Sequence, residues 1–252
     1  MSLNLTALVE YLDEYLRVAD VPDAAHAING LQLENSGSVS RVLAAVDACQ
    51  ATIDAAAAEA QTLLLVHHGL FWSGLEPLRG RHGRRVRALI RGDVALYSAH
   101  LPLDVHPEVG NNAVLAARLG IAEREPFGAY HGIPVGVAGR LDVARQDLVD
   151  RLKGVLGVDP FVIPAGPNHV SRVGVVTGGA GGMIGQARDA GLDTFVTGEG
   201  AHHTYFDAEE WGLNVIYAGH YATETVGVQA LAAHLALRFE LPWAFFDHPT
   251  GL

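Results

Sequence analysis

The sequence predicts an α/β fold in which strands and helices alternate along the chain. Four short apolar runs have the length and the β-branched or leucine-rich composition of buried strands. A helical segment lies between the first two runs and another between the last two, and Gly191 follows the second helix as a cap. The runs are 42–46, 62–66, 173–177 and 193–197, and the helices are 51–60 and 183–190. Strands that alternate with helices are typical of α/β layers.

The two strand–helix–strand units are similar in layout and nearly equal in length. Each ends in residues that can bind metals. The first ends in His67 and His68, and the second is followed by Glu199, His202 and His203. This similarity favours an internal duplication. The alternative is a pair of unrelated βαβ units in an ordinary α/β protein.

The remaining elements extend the same alternation. An amphipathic helix is predicted from Leu5 onward. Further strands are predicted at 94–99, 135–138 and 214–218, and further helices at 111–119, 145–156 and 223–238. The segments 126–134 and 160–168 are rich in Pro and Gly, which predicts joins between a central segment and the rest. The predicted division places 1–125 with 215–252 in a first α/β repeat and 126–214 in a second.

The composition bounds the class of protein. The chain has 252 residues, of which 49% are hydrophobic and 18% charged, enough for one large or two modest folded domains. The net charge of -11 opposes binding to a phosphate backbone, so we expect no basic stripe and no nucleic-acid partner. The single cysteine, Cys49, excludes an internal disulfide. With no basic leader and no apolar stretch long enough to cross a bilayer, we expect a cytoplasmic protein and no membrane partner.

Histidine is the unusual component of this composition. The chain has 13 histidines beside 2 methionines, and imidazole is often used for metal binding and proton transfer. His67 and His68 would point to opposite faces of a regular strand, so they converge only if the strand ends there, as Gly69 allows. Asp104 adds a carboxylate after the next predicted strand, and Zn, Mn or Fe accepts this mixture of donors.

Further candidates lie in the same loop and in a third stretch. His100 and His106 are candidate ligands, and the alternative for each is a histidine bonded to a loop carbonyl. His220 and Glu224 are four residues apart, so on a helical turn they share one face and can bind the same centre. Surface ion pairs have the same spacing, so this pair is informative only together with the other stretches.

These stretches together resemble the signature blocks of a known family. The blocks are 67–72, 100–112 and 219–224, and 29–34 resembles a further one. They are similar to those of the Nif-three-like dinuclear metal centre family, whose members are commonly named GTP cyclohydrolase I type 2 homologues. The similarity follows the family's order over most of the chain, from about Asn29 to about Leu231.

The resemblance implies both a fold and a site. It implies two intertwined, duplicated α/β repeats with most metal ligands in the first, and a homo-oligomer in the form of a toroidal hexamer. It also implies two divalent metal ions per chain, either Zn, Mn or Fe, with the glutamate as the bridging ligand. The implied ligands are His67, His68, Asp104, His220 and Glu224.

Two features depart from the family pattern. Leu101, Pro102 and Leu103 stand where relatives often have Thr-Asn or similar residues. The long inserted domain of some members has no counterpart in this chain. Another segment of the family ends in a histidine, and His203 stands at the matching position of this chain.

Two metals with open coordination positions predict a hydrolase. A water shared by two ions about 3.5 to 4 Å apart is deprotonated near neutral pH and can attack an electrophile. We therefore expect a metal-dependent hydrolase of a nucleotide-like or phosphorylated small molecule that acts through a metal-bridging hydroxide. Glu224 and His100 are the predicted catalytic residues, and His106 and His203 are other candidate proton carriers.

Other functions compete with this prediction. The sequence has neither a P-loop nor a G-x-S-x-G element, and the glycine cluster 178–182 does not match G-x-G-x-x-G. The competing hypothesis is a non-catalytic metal-binding ring that stores metal or acts as a protein-interaction scaffold. The acidic net charge opposes a third hypothesis, in which DNA threads through such a ring.

Overall fold

A computed structural model describes residues 2–251 of the chain. Its strands are β1 (Leu3–Asn4), β2 (Gly30–Leu33), β3 (Ser38–Val39), β4 (Arg41–Asp47), β5 (Thr62–His68), β6 (Ala95–Ser98), β7 (Ala122–Tyr130), β8 (Ile133–Ala144), β9 (Phe161–Pro164), β10 (His169–Val176), β11 (Thr194–Thr197), β12 (Asn214–Tyr217) and β13 (Trp243–Phe245). Every strand predicted from the sequence overlaps one of these.

The helices also follow the predicted alternation. They are α1 (Leu5–Tyr15), α2 (Gln50–Ala56), α3 (Gly80–Arg91), α4 (Leu101–Asp104), α5 (Asn111–Leu119), α6 (Arg145–Leu156), α7 (Ile184–Asp189), α8 (Thr204–Trp211) and α9 (His220–Phe239). Helices α5 and α6 have the predicted bounds. Within residues 2–251, no helix is both long enough and apolar enough to span a bilayer.

The chain divides into two compact units, of which unit 1 comprises the chain up to Val109 together with Val228–His248. Its main sheet has the strand order β13-β4-β5-β6-β2. Strands β4, β5 and β6 are parallel neighbours in chain order, and α2 and α3 connect them. At the sheet edges, β13 pairs parallel with β4, and β2 pairs antiparallel with β6.

Strand β5 is buried on both faces, which explains its unbroken apolar run. Leu63 and Leu65 pack with residues of α1 and of the second half of α9. Leu64 and Val66 point to the opposite face and pack with residues of α2 and α3. Helices therefore cover both faces of this sheet, and the ionisable residues of β5 are confined to its carboxyl end.

Unit 2 comprises Gly110–Gly227 together with the chain from Pro249 onward. Its sheet has the order β7-β8-β10-β11-β12-β9. Strands β10, β11 and β12 are again parallel neighbours in chain order, connected by α7 and α8. Both units contain this β-α-β-α-β arrangement, and the chain returns to unit 1 at Val228. The predicted fold class, two intertwined and duplicated α/β repeats, is therefore confirmed.

The two Pro- and Gly-rich segments, predicted as joins between a central segment and the rest, contain strands in the structure. Pro126 lies in β7 and Pro164 lies in β9, which are the edge strands of the six-stranded sheet. Proline is tolerated in an edge strand because one side of that strand has no neighbour to receive its N–H. The predicted boundaries at 125/126 and 214/215 consequently fall inside unit 2.

Helix α3 carries a basic stripe, which corrects the expectation from net charge. Arg81, Arg84, Arg87 and Arg91 are all exposed and recur every three or four residues. That spacing places them on one face of the helix. The acidic net charge of the chain is therefore distributed unevenly.

Candidate metal centre

Three histidines meet at the carboxyl edge of the unit 1 sheet. Strand β5 ends in His67 and His68, and β6 leads to His100, so neighbouring parallel strands deliver the three rings to one edge. The ring centroids are 4.8 Å apart for His67 and His68 and 5.0 Å apart for His67 and His100. One ring nitrogen of each histidine lies within 4.8 Å of the others. This group could hold a metal ion.

Hydrogen bonds at Nδ1 orient the two histidines of β5. His67 Nδ1 donates to the Ala99 carbonyl at 2.8 Å, and His68 Nδ1 donates to Asp47 Oδ1 at 3.0 Å. With the proton on Nδ1, the Nε2 lone pair is the metal-binding donor of a neutral imidazole, and metal-ligating histidines are commonly held in this way. His67 Nε2 lies 3.6 Å from Asp104 Oδ2, so the predicted carboxylate lies beside this histidine.

The short helix α4 carries Asp104 at its end. The Asp104 N–H donates to the His100 carbonyl at 3.0 Å, one helical turn back. Leu101, Pro102 and Leu103 between them are buried. The three residues that depart from the family pattern therefore form an apolar turn that positions the carboxylate by packing.

A mostly buried aspartate orients His100. His100 Nδ1 donates to Asp23 Oδ1 at 2.9 Å, and Asp23 Oδ2 accepts from the Leu101 N–H at 3.0 Å and from Asn29 Nδ2 at 2.8 Å. Burial raises the pKa of Asp23, but the hydrogen bonds and the nearby His100 outweigh burial and lower the pKa to about 2. Asp23 is therefore ionised and orients the His100 ring as a hydrogen-bond acceptor.

The segment after β5 packs around the three histidines. Gln32 accepts a hydrogen bond at 2.7 Å from the N–H of Leu70. Its amide lies so close to Gly69 that a Cβ at that position would clash. The strand runs through both histidines, and Gly69 is needed for this close approach. The Trp72 ring centroid lies 4.6 Å from that of His68, so an indole covers the cluster.

In unit 2, the predicted ligands His220 and Glu224 lie on the first turns of α9. His220 Nε2 is 3.1 Å from Glu224 Oε1, and His220 Nδ1 donates to Glu199 Oε1 at 2.8 Å. The hydrogen bond with Glu224 is the largest effect on the pKa of His220, and Glu199 raises this pKa further. Burial lowers it, but the two carboxylates outweigh burial and raise the pKa to about 9. His220 is therefore protonated at neutral pH. His202 and His203 are exposed at the start of α8.

The loop after β10 packs on the first turn of α9. Gly178 N–H donates to Thr223 Oγ1 at 3.0 Å, and Thr177 N–H donates to Asn112 Oδ1 at 2.8 Å. Gly178 has a φ of +70°, and a Cβ there would clash with the Glu224 carboxylate. Asn112, part of one family block, therefore supports the fold around this loop.

His106 has a role in the fold, which favours the loop-bonded alternative for it. Its Nε2 donates to the Tyr15 carbonyl at 3.1 Å. Its Nδ1 accepts from the N–H groups of Glu108 and Val109, both at 3.2 Å. Both ring nitrogens are engaged by backbone groups of unit 1, which leaves no nitrogen of His106 for a metal or for proton transfer.

His234 is expected to make the stability of unit 1 depend on pH. Its ring stacks on Tyr15 at 4.2 Å and bonds Tyr11 Oη at 2.6 Å. Burial lowers the pKa of His234, Glu108 opposes this effect, and Arg238 adds to it. Because the folded state then binds this proton less tightly than the unfolded state, stability is highest above the unfolded pKa of about 6.5 and falls as pH drops below it.

Urea denaturation at several pH values tests this expectation. The free energy of unfolding should decrease between about pH 6.5 and pH 5, and His234→Gln should weaken that decrease. His169→Gln, at an exposed position of β10, is the control. An equal pH dependence in the wild type and the His234 variant would contradict the assignment.

The fold and these side chains define a class of protein with two duplicated α/β units, in which histidines and carboxylates collect at the carboxyl ends of parallel strands. The chain belongs to the Duf34/NIF3 (NGG1p interacting factor 3) family, whose sequence model matches residues 3–250. The resemblance inferred from the histidine-bearing blocks is thereby confirmed.

Similar proteins cover nearly the whole chain. A Deinococcus radiodurans protein named GTP cyclohydrolase 1 type 2 homolog is 46% identical over 97% of this chain and 93% of its own length. An Archaeoglobus fulgidus protein of the same name is 40% identical over 99% of this chain and 100% of its own. A crystal structure of a Thermus thermophilus protein has a TM-score of 0.92 and 46% identity, and the match covers 99% of this chain and 100% of that chain.

Sequence reasoning missed the two aspartates that orient the histidines. Asp47 ends β4, at the same sheet edge as His68, so the strand-end rule could have found it. Asp23 lies in the loop between α1 and β2, and no spacing or pattern marks it. Only the folded chain brings Asp23 to His100.

Proposed function

We propose that this protein is a dinuclear metal-dependent hydrolase of a nucleotide-like or phosphorylated small molecule. The proposed metal ligands are His67, His68, Asp104, His220 and Glu224. The observation that carries the proposal is the unit 1 cluster, in which ring nitrogens of two proposed ligands, His67 and His68, lie within 4.8 Å of each other and of a nitrogen of His100. The names of the relatives favour a nucleotide-like substrate.

The chemistry of the donors fits a divalent transition metal. Imidazole nitrogen with carboxylate oxygen suits Zn, Mn or Fe. The Nδ1 hydrogen bonds of His67 and His68 leave Nε2 of each ring as the ligand atom. In unit 2, His220 and Glu224 offer the same kinds of donor. Because His220 is protonated in the metal-free protein, we expect binding there to release a proton.

The protein's own groups have distinct proposed roles. When bound, the two ions would lower the pKa of a water and stabilise developing negative charge. His100 would accept and return a proton at Nε2, because the hydrogen bond from Nδ1 to Asp23 fixes the orientation of the ring. Trp72, whose ring centroid lies 4.5 Å from that of His100, limits the access of water to this side of the ring.

Elemental analysis after reconstitution with Zn, Mn or Fe tests the metal content. We expect about two ions per chain and a clear loss in His67→Ala, because this ring is a buried ligand with a fixed tautomer. His169→Ala removes an exposed histidine and is the control. Fewer than about two ions per chain, with no difference in His67→Ala, would contradict the proposal.

We also propose a homo-oligomer in the form of a toroidal hexamer, which rests on the resemblance to the family. Light scattering on the protein as it elutes from a size-exclusion column should give a mass close to that of six chains. The mass of a monomer would contradict the hexamer. Two bound ions without turnover of any nucleotide or phosphomonoester would instead support the non-catalytic ring.

A further inference from the structure

Unit 2 contains a cavity that none of the proposed metal ligands lines. Its volume is about 520 Å³, within the range of small-molecule sites. Its lining is predominantly apolar and aromatic, and it includes the backbone that joins β11 to α8. The lining includes Phe161, Glu199, Gly200, Tyr205, Phe206 and Tyr217.

Aromatic rings form the walls of this cavity. Phe161 and Tyr217 lie on adjacent antiparallel strands, with ring planes 6° apart and centroids 6.3 Å apart. Gly200 lies against the Tyr217 ring, where any Cβ would clash. Phe161 is 60% exposed and Phe206 is 51% exposed. Exposed aromatic faces around a cavity of this size favour a flat aromatic ligand.

One carboxylate gives the cavity its polarity. Among the described residues that line it, Glu199 is the one acid, and none is Lys or Arg. Its Oε1 accepts from His220 Nδ1 at 2.8 Å, and its side chain is 50% exposed. Two adjacent N–H donors on a ring would match this carboxylate.

We propose that this cavity binds a planar heteroaromatic ring whose edge carries two adjacent N–H donors. The Glu199 carboxylate accepts the hydrogen bonds from both. Because Glu199 also accepts a hydrogen bond from His220 Nδ1, a ring bound here would lie beside a proposed metal ligand. As a statement about the substrate, the inference rests on the proposed function. It assigns the ring of that substrate to this cavity.

Calorimetric titration of the metal-free protein tests the proposal with 2-aminobenzimidazole, a flat ring with two adjacent N–H donors. We expect it to bind at least about tenfold more tightly than 1,2-dimethylbenzimidazole, which has the same ring system and no N–H donor. Glu199→Gln should remove this preference. Phe161→Ala should weaken the binding of both rings, because it removes an aromatic wall.

Two control variants use residues outside the cavity. Glu210→Gln, an exposed position of α8, should keep the preference for the donor ring, and Tyr130→Ala should keep the affinity for both rings. Equal affinities for the two rings, or an unchanged preference in Glu199→Gln, would overturn the proposal. A Phe206→Ala variant that changes the oligomeric mass and leaves ring binding intact would also overturn the proposal. In that case the aromatic face would be a contact with a second copy of the chain and not a ligand site.

Failure of this inference is distinguishable from failure of the proposed function. The titration uses metal-free protein, so it does not depend on the metal content. Ring binding with fewer than two ions per chain would contradict the hydrolase alone. Two ions and turnover without ring binding would contradict only the assignment of the cavity.

Discussion

A Glu224→Ala variant is expected to keep its fold, to fall from about two metal ions per chain to about one, and to lose metal-dependent turnover by more than about 100-fold. Glu224 is 4% exposed, and its Oε1 lies 3.1 Å from His220 Nε2. The substitution removes the carboxylate of a proposed metal ligand. It also leaves His220 with Glu199 as its remaining carboxylate partner.

The metal-free protein provides a measurement that does not depend on turnover. Because the Glu224 hydrogen bond is the largest cause of the raised His220 pKa, which is about 9, we expect this pKa to be lower in Glu224→Ala. An NMR titration of the histidine ring protons measures this change. The assay of turnover would use nucleoside triphosphates and phosphomonoesters.

A matched substitution on another helix is the control. Glu10→Ala removes an exposed carboxylate from α1 and should leave the metal content, the His220 pKa and turnover unchanged. Full metal content and full turnover in Glu224→Ala would contradict its role as a metal ligand. A full loss of turnover in Glu10→Ala would show that the assay reports on something other than the site.

The sequence predicts the strand-end histidines because local pattern and topology agree there. The apolar run of β5 is long enough to identify a buried strand, and the following histidines must then lie at its carboxyl end. The same logic applies to His220, which is the first residue of α9 and lies three residues after the end of β12. The positions of these histidines can be predicted from residues that are close in the chain, and a single sequence contains that information.

Contacts between distant segments could not be predicted in the same way. Asp23 and His100 are 77 residues apart in the chain, and nothing in the local sequence of either identifies the other. The edge strands β7 and β9 were missed because proline lowers the strand signal without preventing an edge strand. The basic stripe of α3 was missed because a net charge describes the sum of charges and not their distribution.

Gly178→Ala is expected to be strongly destabilising and to impair metal binding, although residue 178 is not a proposed ligand. Its φ of +70° costs a residue with a Cβ about 1–2 kcal/mol. The added Cβ would also clash with the Glu224 carboxylate, and overpacking of this kind costs about a further 1–3 kcal/mol. Displacement of the carboxylate should weaken binding at His220 and Glu224.

Gly191→Ala separates these two effects. Gly191 has a nearly equal φ of +66°, and nothing lies within 4 Å of the position of its Cβ. The Gly191→Ala variant should therefore lose only the free energy of unfolding that the positive φ costs, as measured by urea denaturation. It should keep its full metal content. If both variants lose the same stability and both keep two ions per chain, Gly178 matters only for its backbone conformation, and its proposed contact with Glu224 has no role in the site.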